Sequence, residues 1–568
     1  MQTTSGICRC IHHREMNMQT SSHRSAADHP GLFAGTNAAA SPAAPVRCIR
    51  WLQRNLNVFL VIPFVIAFLS IKIRCPDSDF WFIAAAGRYI TEEGVIPTVN
   101  PFVIHDNYGI IVQQWLFDVI LYLLYRAAGN AGLYLYCALA FLLANILLYR
   151  YLLLFTDNHR FIAVVLAVWC LMQCQTAVTR PTSVTFLILT AELILLEQYR
   201  QGRSRRILFL LPALSVLEVN LHASLWPFLF IMALPYLVPD QIRGELGDML
   251  RSFLRTNRSL LLSLTAAFAA GFLNPYGLRG MFYLALSYPS ASKYDAIDEM
   301  KAPALFSIYG IVILAAFCIL IIYIIRFRGR LSLTRICMAA GTILLAAMHT
   351  RSFWFPILGA GPLLALIMND RAAHERECGH SPETGAAAGA REKAAPAGKR
   401  ETTAPAGSTK TAASAESRMT ISFPEVILYA ALSMLLALVC PIPYKVSDSV
   451  TLPSAAADYL DSLNNPGEIV LYTGFNNGGY MEWRGYKVYM DARPELFSAA
   501  VNGREDTYEE YLSVRDGSAD YESFCAQYGF TYLIADENTR FDVYLRTCGD
   551  YEIAVIGDGY TLYHLIAD

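Results

Sequence analysis

Long apolar stretches recur along most of the chain and are separated by short polar segments. Twelve occur, at about 57–73, 110–127, 131–155, 161–178, 182–198, 207–221, 224–238, 259–273, 304–325, 333–348, 353–368 and 422–442. Several approach the roughly 20 residues that a helix needs to cross about 30 Å of hydrocarbon, and the shorter ones suit tilted or broken helices in a packed bundle. The pattern predicts an α-helical polytopic membrane protein with about 11 to 13 transmembrane helices.

Arginine in the short connecting segments predicts the orientation of this bundle. Clusters lie at 200–206, 243–258 and 326–335, and such positively charged loops face the cytoplasm. Counting from them predicts which segments lie on the outer face: 75–109, 179–182, 220–224, 274–303 and 349–352. A cytoplasmic N-terminus then requires that one stretch between 110 and 178 is re-entrant, split or interfacial, because simple crossings give the wrong parity.

Composition supports a membrane protein and excludes nucleic acid as a partner. The chain is 55% hydrophobic and 16% charged, whereas soluble domains average about 25% charged residues. Its net charge of −2 offers no concentration of Lys and Arg for a phosphate backbone. Residues 1–54 predict a disordered cytoplasmic tail, and 371–420, rich in Ala, Gly, Pro, Thr and Lys, predict a disordered cytoplasmic linker.

The segment 446–568 follows the last predicted transmembrane helix, at 421–443, and has a different pattern. Short apolar strand signals alternate with helical ones, and the strand signals are IVLYT at 469–473, KVYMDA at 487–492, TYLIAD at 531–536 and YEIAVI at 551–556. Asp and Glu greatly outnumber Lys and Arg, which suits a position away from the anionic cytoplasmic leaflet. We expect an extracytoplasmic α/β domain with its own core.

The first outer segment, 75–109, contains the strongest catalytic candidates. In PDSDFWF, Asp77 and Asp79 come just after the first span, where carboxylates are costly unless a cation or a donor compensates them. One could take a proton from an acceptor hydroxyl while the other holds the acceptor or a divalent cation. The alternative is that either residue only caps the helix that follows.

Other polar residues are predicted at outer helix ends. Arg180 stands in TRPTS, Asn220 and His222 in VNLHAS, Glu299 in YDAIDEM and Arg351 in HTRSFWFP. Guanidinium groups there suit a phosphate because their planar fork matches its oxygens, and a lipid phosphate could place its tail between helices. Each has a simpler reading, since Arg180 and Arg351 can snorkel and His222 can bond a backbone carbonyl in the core. We expect these five residues to bind substrate around one cavity.

These residues resemble the pattern of the GT-C class of integral membrane glycosyltransferases, which includes protein O-mannosyltransferases, lipid A aminoarabinose transferases and oligosaccharyltransferases. Members place acidic residues in the first outer loop, as PDSDFWF does here. The chain also looks like a set of bacterial polytopic membrane proteins that share DSDFWFIAAAGRYITEEGVIPTVNPF, TRP, NLHAS, NPYG and GGYMEWRGYKVYMDARPE. The resemblance implies a GT-C-like module over 55–370 and matches Asp77 to the loop carboxylate of that class. Ser78 departs from it, because characterised members often have adjacent acidic residues.

Together, the residues and the resemblance predict a glycosyltransferase of the bacterial cytoplasmic membrane. It would move a sugar from a polyprenyl-phosphate donor to a glycan or protein acceptor on the outer face, with Asp77 or Asp79 activating the acceptor. The alternative is a non-enzymatic membrane protein, either a transporter or flippase for a lipid-linked glycan or an assembly scaffold. A transporter should show inverted repeats and a polar path across the whole bilayer, whereas the polar candidates here lie on one predicted side.

Overall fold

The structure is a computed structural model that describes residues 56–174, 178–238, 246–288, 298–378, 423–441, 451–463 and 468–566. The predicted tail at 1–54 lies outside the described residues, as does most of the predicted linker. The linker prediction is wrong at its start, because the helix that precedes it continues to Cys378. Residues 371–378 include Ala372, Ala373 and two Glu, which are good helix formers and extend the preceding apolar helix beyond its last apolar turn.

The chain is a polytopic membrane protein whose membrane module is helical. Its helices are α1 (Leu56–Arg74), α2 (Phe80–Glu93), α3 (Trp115–Ala128), α4 (Asn130–Leu152), α5 (His159–Gln173), α6 (Thr182–Arg200), α7 (Leu211–Leu221), α8 (Pro227–Leu237), α9 (Leu246–Ala270), α10 (Leu278–Met281), α11 (Tyr283–Ser287), α12 (Ile308–Arg326), α13 (Leu333–Met348), α14 (Pro356–Cys378) and α15 (Phe423–Val439). Short 3₁₀ turns join several of them, at Arg205–Leu210, Ala223–Leu225, Asp298–Met300 and Thr350–Ser352.

Among the described helices, three are long and apolar enough to cross a membrane by length and composition, namely α4, α6 and α12. Five shorter apolar helices accompany them, at His159–Gln173, Ala223–Leu237, Leu333–Met348, Pro356–Asp370 and Pro424–Val439. The number of 11 to 13 crossings stays a prediction. The apolar stretch at 110–127 becomes a helix only from Trp115, and at 14 residues this helix falls well short of the roughly 20 that a full crossing needs.

Aromatic side chains form much of the core between these helices. The rings of Trp169 and Phe186 stack with centroids 5.2 Å apart, and Trp354 meets Phe186 edge to face at 5.5 Å. Phe68 and Phe141 make a similar edge contact at 5.5 Å. These pairs connect α1, α4, α5 and α6 with the segment before α14, so that several helix ends meet near one place.

The first and last helices of the module end side by side. Lys72, in the last turn of α1, is buried and donates from Nζ to the carbonyl oxygens of Ala437 at 2.9 Å, Leu438 at 3.3 Å and Cys440. The last carbonyls of a helix lack a partner within the helix, and a cation is favoured beside them because the helix dipole is negative at that end. The ends of α1 and α15 therefore lie on the same side of the module.

The C-terminal segment contains a four-stranded mixed sheet and six helices. The strands are β1 (Leu471–Tyr472), β2 (Tyr532–Asp536), β3 (Tyr551–Gly557) and β4 (Tyr560–Leu565), in the order β1-β2-β4-β3. β1 pairs with β2 in parallel, and β4 is antiparallel to β2 and β3. The helices are α16 (Ser454–Ser462), α17 (Gly478–Arg484), α18 (Ala499–Asn502), α19 (Thr507–Asp516), α20 (Tyr521–Tyr528) and α21 (Arg540–Thr547).

Two of the predicted strands agree well with the sheet and one does not. TYLIAD and YEIAVI correspond to β2 and β3, and β1 covers the middle of IVLYT. The strand predicted at 487–492 is wrong, because Val488 makes only isolated bridges, to Val103 and to Leu471. The β4 strand was not predicted, since its sequence YTLYHL lies at the end of the chain beside the recognised β3 signal.

The core of this domain is shared with the first outer segment, contrary to the expectation of a core of its own. Phe102, Val103 and Ile110 are buried in one cluster with side chains of the C-terminal domain, among them Tyr489. Backbone bonds join the two parts, since Ile104 N–H donates to Val488 O at 3.0 Å and Val488 N–H donates to Phe102 O at 2.8 Å. The domain is thus built onto the segment that follows α2.

Candidate functional site

The end of α1 places the first carboxylate. Pro76 follows Arg74, the last residue of α1, by two positions, and a proline there cannot continue the helix because it lacks an N–H donor. Asp77 comes next and is buried. Asp79 occupies the N-cap position of α2, but its side chain accepts no capping hydrogen bond. A role restricted to side-chain capping is therefore not what the structure shows for Asp79.

The segment before α6 positions Arg180, the basic partner of these carboxylates. Pro181 is the N-cap of α6, and a residue that precedes a proline is held away from helical geometry, so Arg180 lies in the turn before the helix. The turn is closed by Ser183, whose Oγ donates to Arg180 O at 3.0 Å and lies 2.9 Å from the hydroxyl of Tyr136 on α4.

Arg180 joins three carboxylates. Its Nε lies 2.8 Å from Asp77 Oδ2 and 3.1 Å from Asp79 Oδ2, and its Nη1 lies 3.2 Å from Glu299 Oε2. Thr179 donates a short hydrogen bond from its hydroxyl to Asp77 Oδ1. Both oxygens of Asp77 are thus held by neighbouring residues of one turn, which fixes the orientation of this carboxylate.

A second pair of turns brings Arg351 to the same place. His349 Nδ1 lies 2.7 Å from Met300 O, and Thr350 donates from its backbone N–H and from Oγ1 to Lys301 O, both at 2.9 Å. The turn that contains Glu299 is therefore hydrogen-bonded to the turn that contains Arg351.

These residues line a cavity of about 280 Å³ between the ends of α1, α6, α12 and α13 and the middle of α4. The polar lining is formed by Arg74, Asp77, Ser78, Gln173, Arg180, Thr182, Ser183, Glu299, Thr350 and Arg351. The apolar lining is formed by Cys137, Ala140, Phe141, Ala144, Val178, Phe186, Tyr309, Phe353 and Trp354. The cavity is therefore amphipathic, with ionic groups grouped at helix ends and apolar groups extending along α4.

Carboxylates and guanidinium groups near the cavity have opposite effects on the pKa of Asp79. Burial raises the pKa of Asp79, as do the nearby carboxylates of Asp77 and Glu299, while Arg180 and Arg351 oppose the shift. Asp79 bonds to Arg180 but is not among the residues that line the cavity in the described part of the chain. Asp77, by contrast, lines it directly.

Two predicted binding residues lie elsewhere. Asn220 accepts from Trp115 Nε1 at 2.8 Å and donates to Val216 O at 2.8 Å and Leu273 O at 2.9 Å. Neither Asn220 nor His222 lines the cavity within the described residues. Buried polar groups need internal partners. The amide of Asn220 finds them in α3, in α7 and at Leu273, just after α9.

His222 forms a separate buried contact. Its Nδ1 lies 2.7 Å from Thr185 Oγ1, and that hydroxyl donates to Glu218 Oε1 at 2.6 Å. All three side chains are buried between α6 and α7. Within the described residues, Asn220 and His222 thus do not line the cavity that Arg180 and Arg351 line, and a role for them in binding substrate stays a prediction.

The carboxylates were also expected to offer a site for a divalent cation. Asp77 Oδ2 and Asp79 Oδ2 both contact Arg180 Nε, so a cation bound to both of these oxygens would have to displace the guanidinium. Across the described ranges, no group of three His, Cys, Asp or Glu side chains is placed to hold one metal ion. The donor set does not fit a divalent cation at Asp77 and Asp79, and we derive no step through one.

Sequence reasoning missed two residues of the site. Arg74 lines the cavity from the end of α1, and Thr179 bonds Asp77. A signal for Arg74 was present, because a basic residue at the predicted outer end of a span runs against the usual bias of Lys and Arg toward the cytoplasm. Thr179 had no such signal, since a threonine beside a helix start is common.

Comparisons with known proteins give likenesses of fold. Models of known protein families do not match the chain, and neither do curated protein sequences. Among solved structures, the chain is similar to ArnT from Cupriavidus metallidurans bound to undecaprenyl phosphate, at 14% identity over 92% of this chain and 99% of that chain, with a TM-score of 0.45.

Two states of the Archaeoglobus fulgidus oligosaccharyltransferase are also similar. AglB in complex with an inhibitory peptide and a dolichol-phosphate matches at 11% identity over 88% of this chain and 70% of that chain, with a TM-score of 0.48. The form tethered to an acceptor peptide matches at 12% identity over the same shares, with a TM-score of 0.49. Oligosaccharyltransferases belong to the class that the sequence resembles, but at these identities and scores the function has to be argued from the site itself.

Proposed function

We propose that the chain is a membrane glycosyltransferase that moves a sugar from a polyprenyl-phosphate donor to an acceptor at the outer face of a bacterial cytoplasmic membrane. The observation that carries the proposal is the amphipathic cavity, which Arg74, Arg180 and Arg351 line from segments at helix ends and apolar side chains line along α4. A lipid phosphate likewise has a charged part and an apolar part, since its head is anionic and its tail is apolar.

The three arginines have unequal tasks in this proposal. Arg180 is already paired to three carboxylates, so it organises the site more than it neutralises a ligand. In the described part of the chain, Arg351 forms no ion pair with a carboxylate, and its Nη1 lies 3.6 Å from the sulfur of Met300. Arg351 would therefore hold the phosphate, whose negative charge grows as the sugar leaves it, and Arg74 would contact it from the end of α1.

Asp77 is the better candidate for activating the acceptor. It lines the cavity, and Thr179 and Arg180 fix its orientation, whereas Asp79 contacts the same guanidinium but is not among the described residues that line the cavity. In the proposed reaction, the acceptor oxygen bonds to the anomeric carbon and the bond from that carbon to the phosphate oxygen breaks. The acceptor proton passes to the Asp77 carboxylate, and the electron pair of the broken bond remains on the departing lipid phosphate.

The test uses the full chain in detergent with a panel of undecaprenyl-phosphate sugars, measuring the undecaprenyl phosphate released and the sugar transferred to added acceptors. The double variant Asp77→Asn with Asp79→Asn should abolish release, and Asp77→Asn alone should reduce it more than Asp79→Asn. Asp106→Asn is the matched control, because Asp106 is an exposed carboxylate of the same outer segment. Unchanged release in a folded double variant would refute the catalytic assignment.

Binding is measured separately with undecaprenyl phosphate alone. Arg351→Ala and Arg74→Ala should each weaken binding roughly 10- to 100-fold, because a hydrogen bond to a charged group contributes about 1.5–3 kcal/mol. Arg335→Ala, at the opposite end of α13, should leave binding unchanged. Binding that survives both cavity substitutions would favour the non-enzymatic alternatives, in which the outer domain and not this cavity carries the function.

A further inference from the structure

The C-terminal domain packs directly on α2, the helix that begins right after Asp79. Trp81 of α2 meets Tyr480 edge to face with centroids 5.1 Å apart, and its ring lies 6.1 Å from that of Trp483. Farther along α2, the guanidinium of Arg88 lies 4.5 Å from the ring centroid of Trp483 and its Nη2 donates to Glu482 O at 3.4 Å. The whole of α17 therefore lies along α2.

The contact is tightest at the first turn of α2. A Cβ added to Gly479 would lie 3.2 Å from the Cβ of Phe82, so the absence of a side chain allows α17 to approach this closely. On the Phe82 ring, the guanidinium carbon of Arg493 lies 4.8 Å from the centroid. Phe82 is three residues from Asp79, so this pair of contacts sets the position of the turn that carries the carboxylate.

Arg493 is itself held by buried carboxylates. Its Nη2 lies 2.6 Å from Asp491 Oδ2 and 2.9 Å from each carboxylate oxygen of Glu482, and its Nε donates to Asp491 Oδ1 at 3.1 Å. Burial raises the pKa of Glu482 well above its ordinary value, whereas Arg493 and Glu482 lower that of Asp491. The carboxyl groups of Glu482 and Asp491 together hold one guanidinium over Phe82.

The other end of α2 is tied to the same domain. After α2 the chain reaches Phe102 and Ile104, whose backbone bonds to Val488 add an extended segment beside β1. The ring of Phe102 also lies 6.0 Å from the guanidinium carbon of Arg493. The domain therefore contacts α2 at its first turn and along its length, and it also contacts the segment just beyond the end of α2.

We propose that the C-terminal domain positions the carboxylates of the cavity, with Arg493 and α17 holding the first turn of α2 through Phe82. The inference rests on the proposed function for its consequence, since a displaced Asp77 would no longer face the ligand. In this role Arg493 is a positioning residue and does not touch substrate. The domain would thus be required for the chemistry of a cavity that it does not itself line.

The test measures hydrogen–deuterium exchange of the full chain in detergent, together with affinity for undecaprenyl phosphate. Arg493→Leu removes the cation from Phe82, whereas Gly479→Ala adds a Cβ that would lie 3.2 Å from the Cβ of Phe82 and replaces no member of the ionic cluster. Both should raise exchange in residues 76–86 about tenfold, the factor that 1.4 kcal/mol produces, and weaken lipid binding about as much. Arg493→Lys should recover part of both losses, because it keeps the charge but not the planar group.

Arg546→Leu is the matched control, since Arg546 pairs with Asp542 and Thr561 inside the domain. It should leave exchange at 76–86 as in the unmodified chain. If Arg493→Leu also raises hydrogen–deuterium exchange in β2, the domain itself is disturbed, and the exchange measured in Gly479→Ala is then the test of the proposal. Unchanged exchange at 76–86 in Gly479→Ala overturns the proposal even where undecaprenyl phosphate binds, whereas increased exchange supports it even if the unmodified chain does not bind that lipid.

Discussion

Arg180 donates a hydrogen bond of 2.8 Å from Nε to Asp77 Oδ2, across 103 positions of the chain. The same guanidinium also reaches Asp79 and Glu299, so one side chain connects the end of α1, the start of α2 and the turn before α12. The side chain of Asp77 is only 6% exposed, so removing Arg180 would leave a buried carboxylate without this cation.

Two substitutions of Arg180 should affect the unfolding free energy and the rate of the reaction to different extents. Arg180→Leu leaves a buried Asp77 without its cation and should cost about 3–5 kcal/mol of unfolding free energy. Arg180→Lys keeps the charge, but a single ammonium cannot bridge three carboxylates, so its release of undecaprenyl phosphate should fall up to about a hundredfold while much of the stability remains. Thermal unfolding and the release assay measure the two effects.

A Lys variant as active as the unmodified chain would contradict this role of the guanidinium fork. Arg326→Lys provides the comparison, because Arg326 forms a more exposed pair with Asp370 away from the cavity. It should change neither measurement appreciably, as expected for a surface ion pair.

Lys72 should stabilise the pairing of α1 with α15. Lys72→Met removes a cation from three carbonyl oxygens at the end of α15 and should lower the unfolding free energy by about 1–3 kcal/mol, since those acceptors lose their partner. Thermal unfolding followed by tryptophan fluorescence measures the change. Arg326→Met should cost no more than about 1 kcal/mol, and an equal loss in both variants would argue against the role of Lys72.

Gly478 should not tolerate a side chain. A Cβ at this position would lie 1.8 Å from Met490 O, and because that atom is backbone, the chain itself must shift. Gly478→Ala should destabilise the C-terminal domain by about 3 kcal/mol, seen as early loss of exchange protection in β2.

Gly341, in the interior of α13, is the control because no atom lies within 4 Å of its added Cβ. Gly341→Ala should stabilise the helix by about 0.5–1 kcal/mol. Normal protection of β2 in Gly478→Ala would show that this close approach is not required.

Acid should loosen the junction between the outer segment and the C-terminal domain through His105. Its ring stacks on Tyr108 with centroids 4.6 Å apart, and Nε2 lies 2.8 Å from Tyr489 O. Burial lowers the pKa of His105, so the folded state favours the neutral ring. The stability that this ring contributes is complete above the unfolded pKa of about 6.5 and is lost as the pH falls from there toward the lowered pKa of the folded state.

Unfolding temperatures between pH 7.5 and 5 measure this contribution. His105→Gln retains a donor for Tyr489 O and should show a flatter dependence below about pH 6.5. His564→Gln, which replaces a partly exposed histidine of the same domain, is the comparison variant. An identical pH profile for His105→Gln and the unmodified chain would show that another group causes the loss.

The apolar pattern predicted local structure more accurately than it predicted contacts. The stretches at 57–73, 182–198 and 333–348 correspond to α1, α6 and α13 almost residue for residue. The failed strand at 487–492 has an explanation in its surroundings: Val488 is bridged on both sides by short segments, one of which comes from the first outer segment. Alternation within a segment cannot reveal such a distant partner.

The same distinction applies to the site. Arg180, Asp77, Glu299 and Arg351 could be selected from the sequence because charged groups at predicted helix ends in a membrane are costly without a partner. Asn220 and His222 met the same criterion, yet their polar atoms are used between helices. Proximity to a helix end does not distinguish a side chain that faces a cavity from one that faces a neighbouring helix.

The sequence alone determined that this chain spans a membrane, where several of its helices begin and end, and that ionic residues gather at one set of helix ends, because hydropathy and helix breakers act over a few residues. Only the tertiary structure decided that Arg180 joins three carboxylates, that Arg74 and Thr179 belong to the site, and that the C-terminal domain grips α2. Those facts depend on which faces of distant helices pack together, and packing is settled by the shapes of many side chains at once.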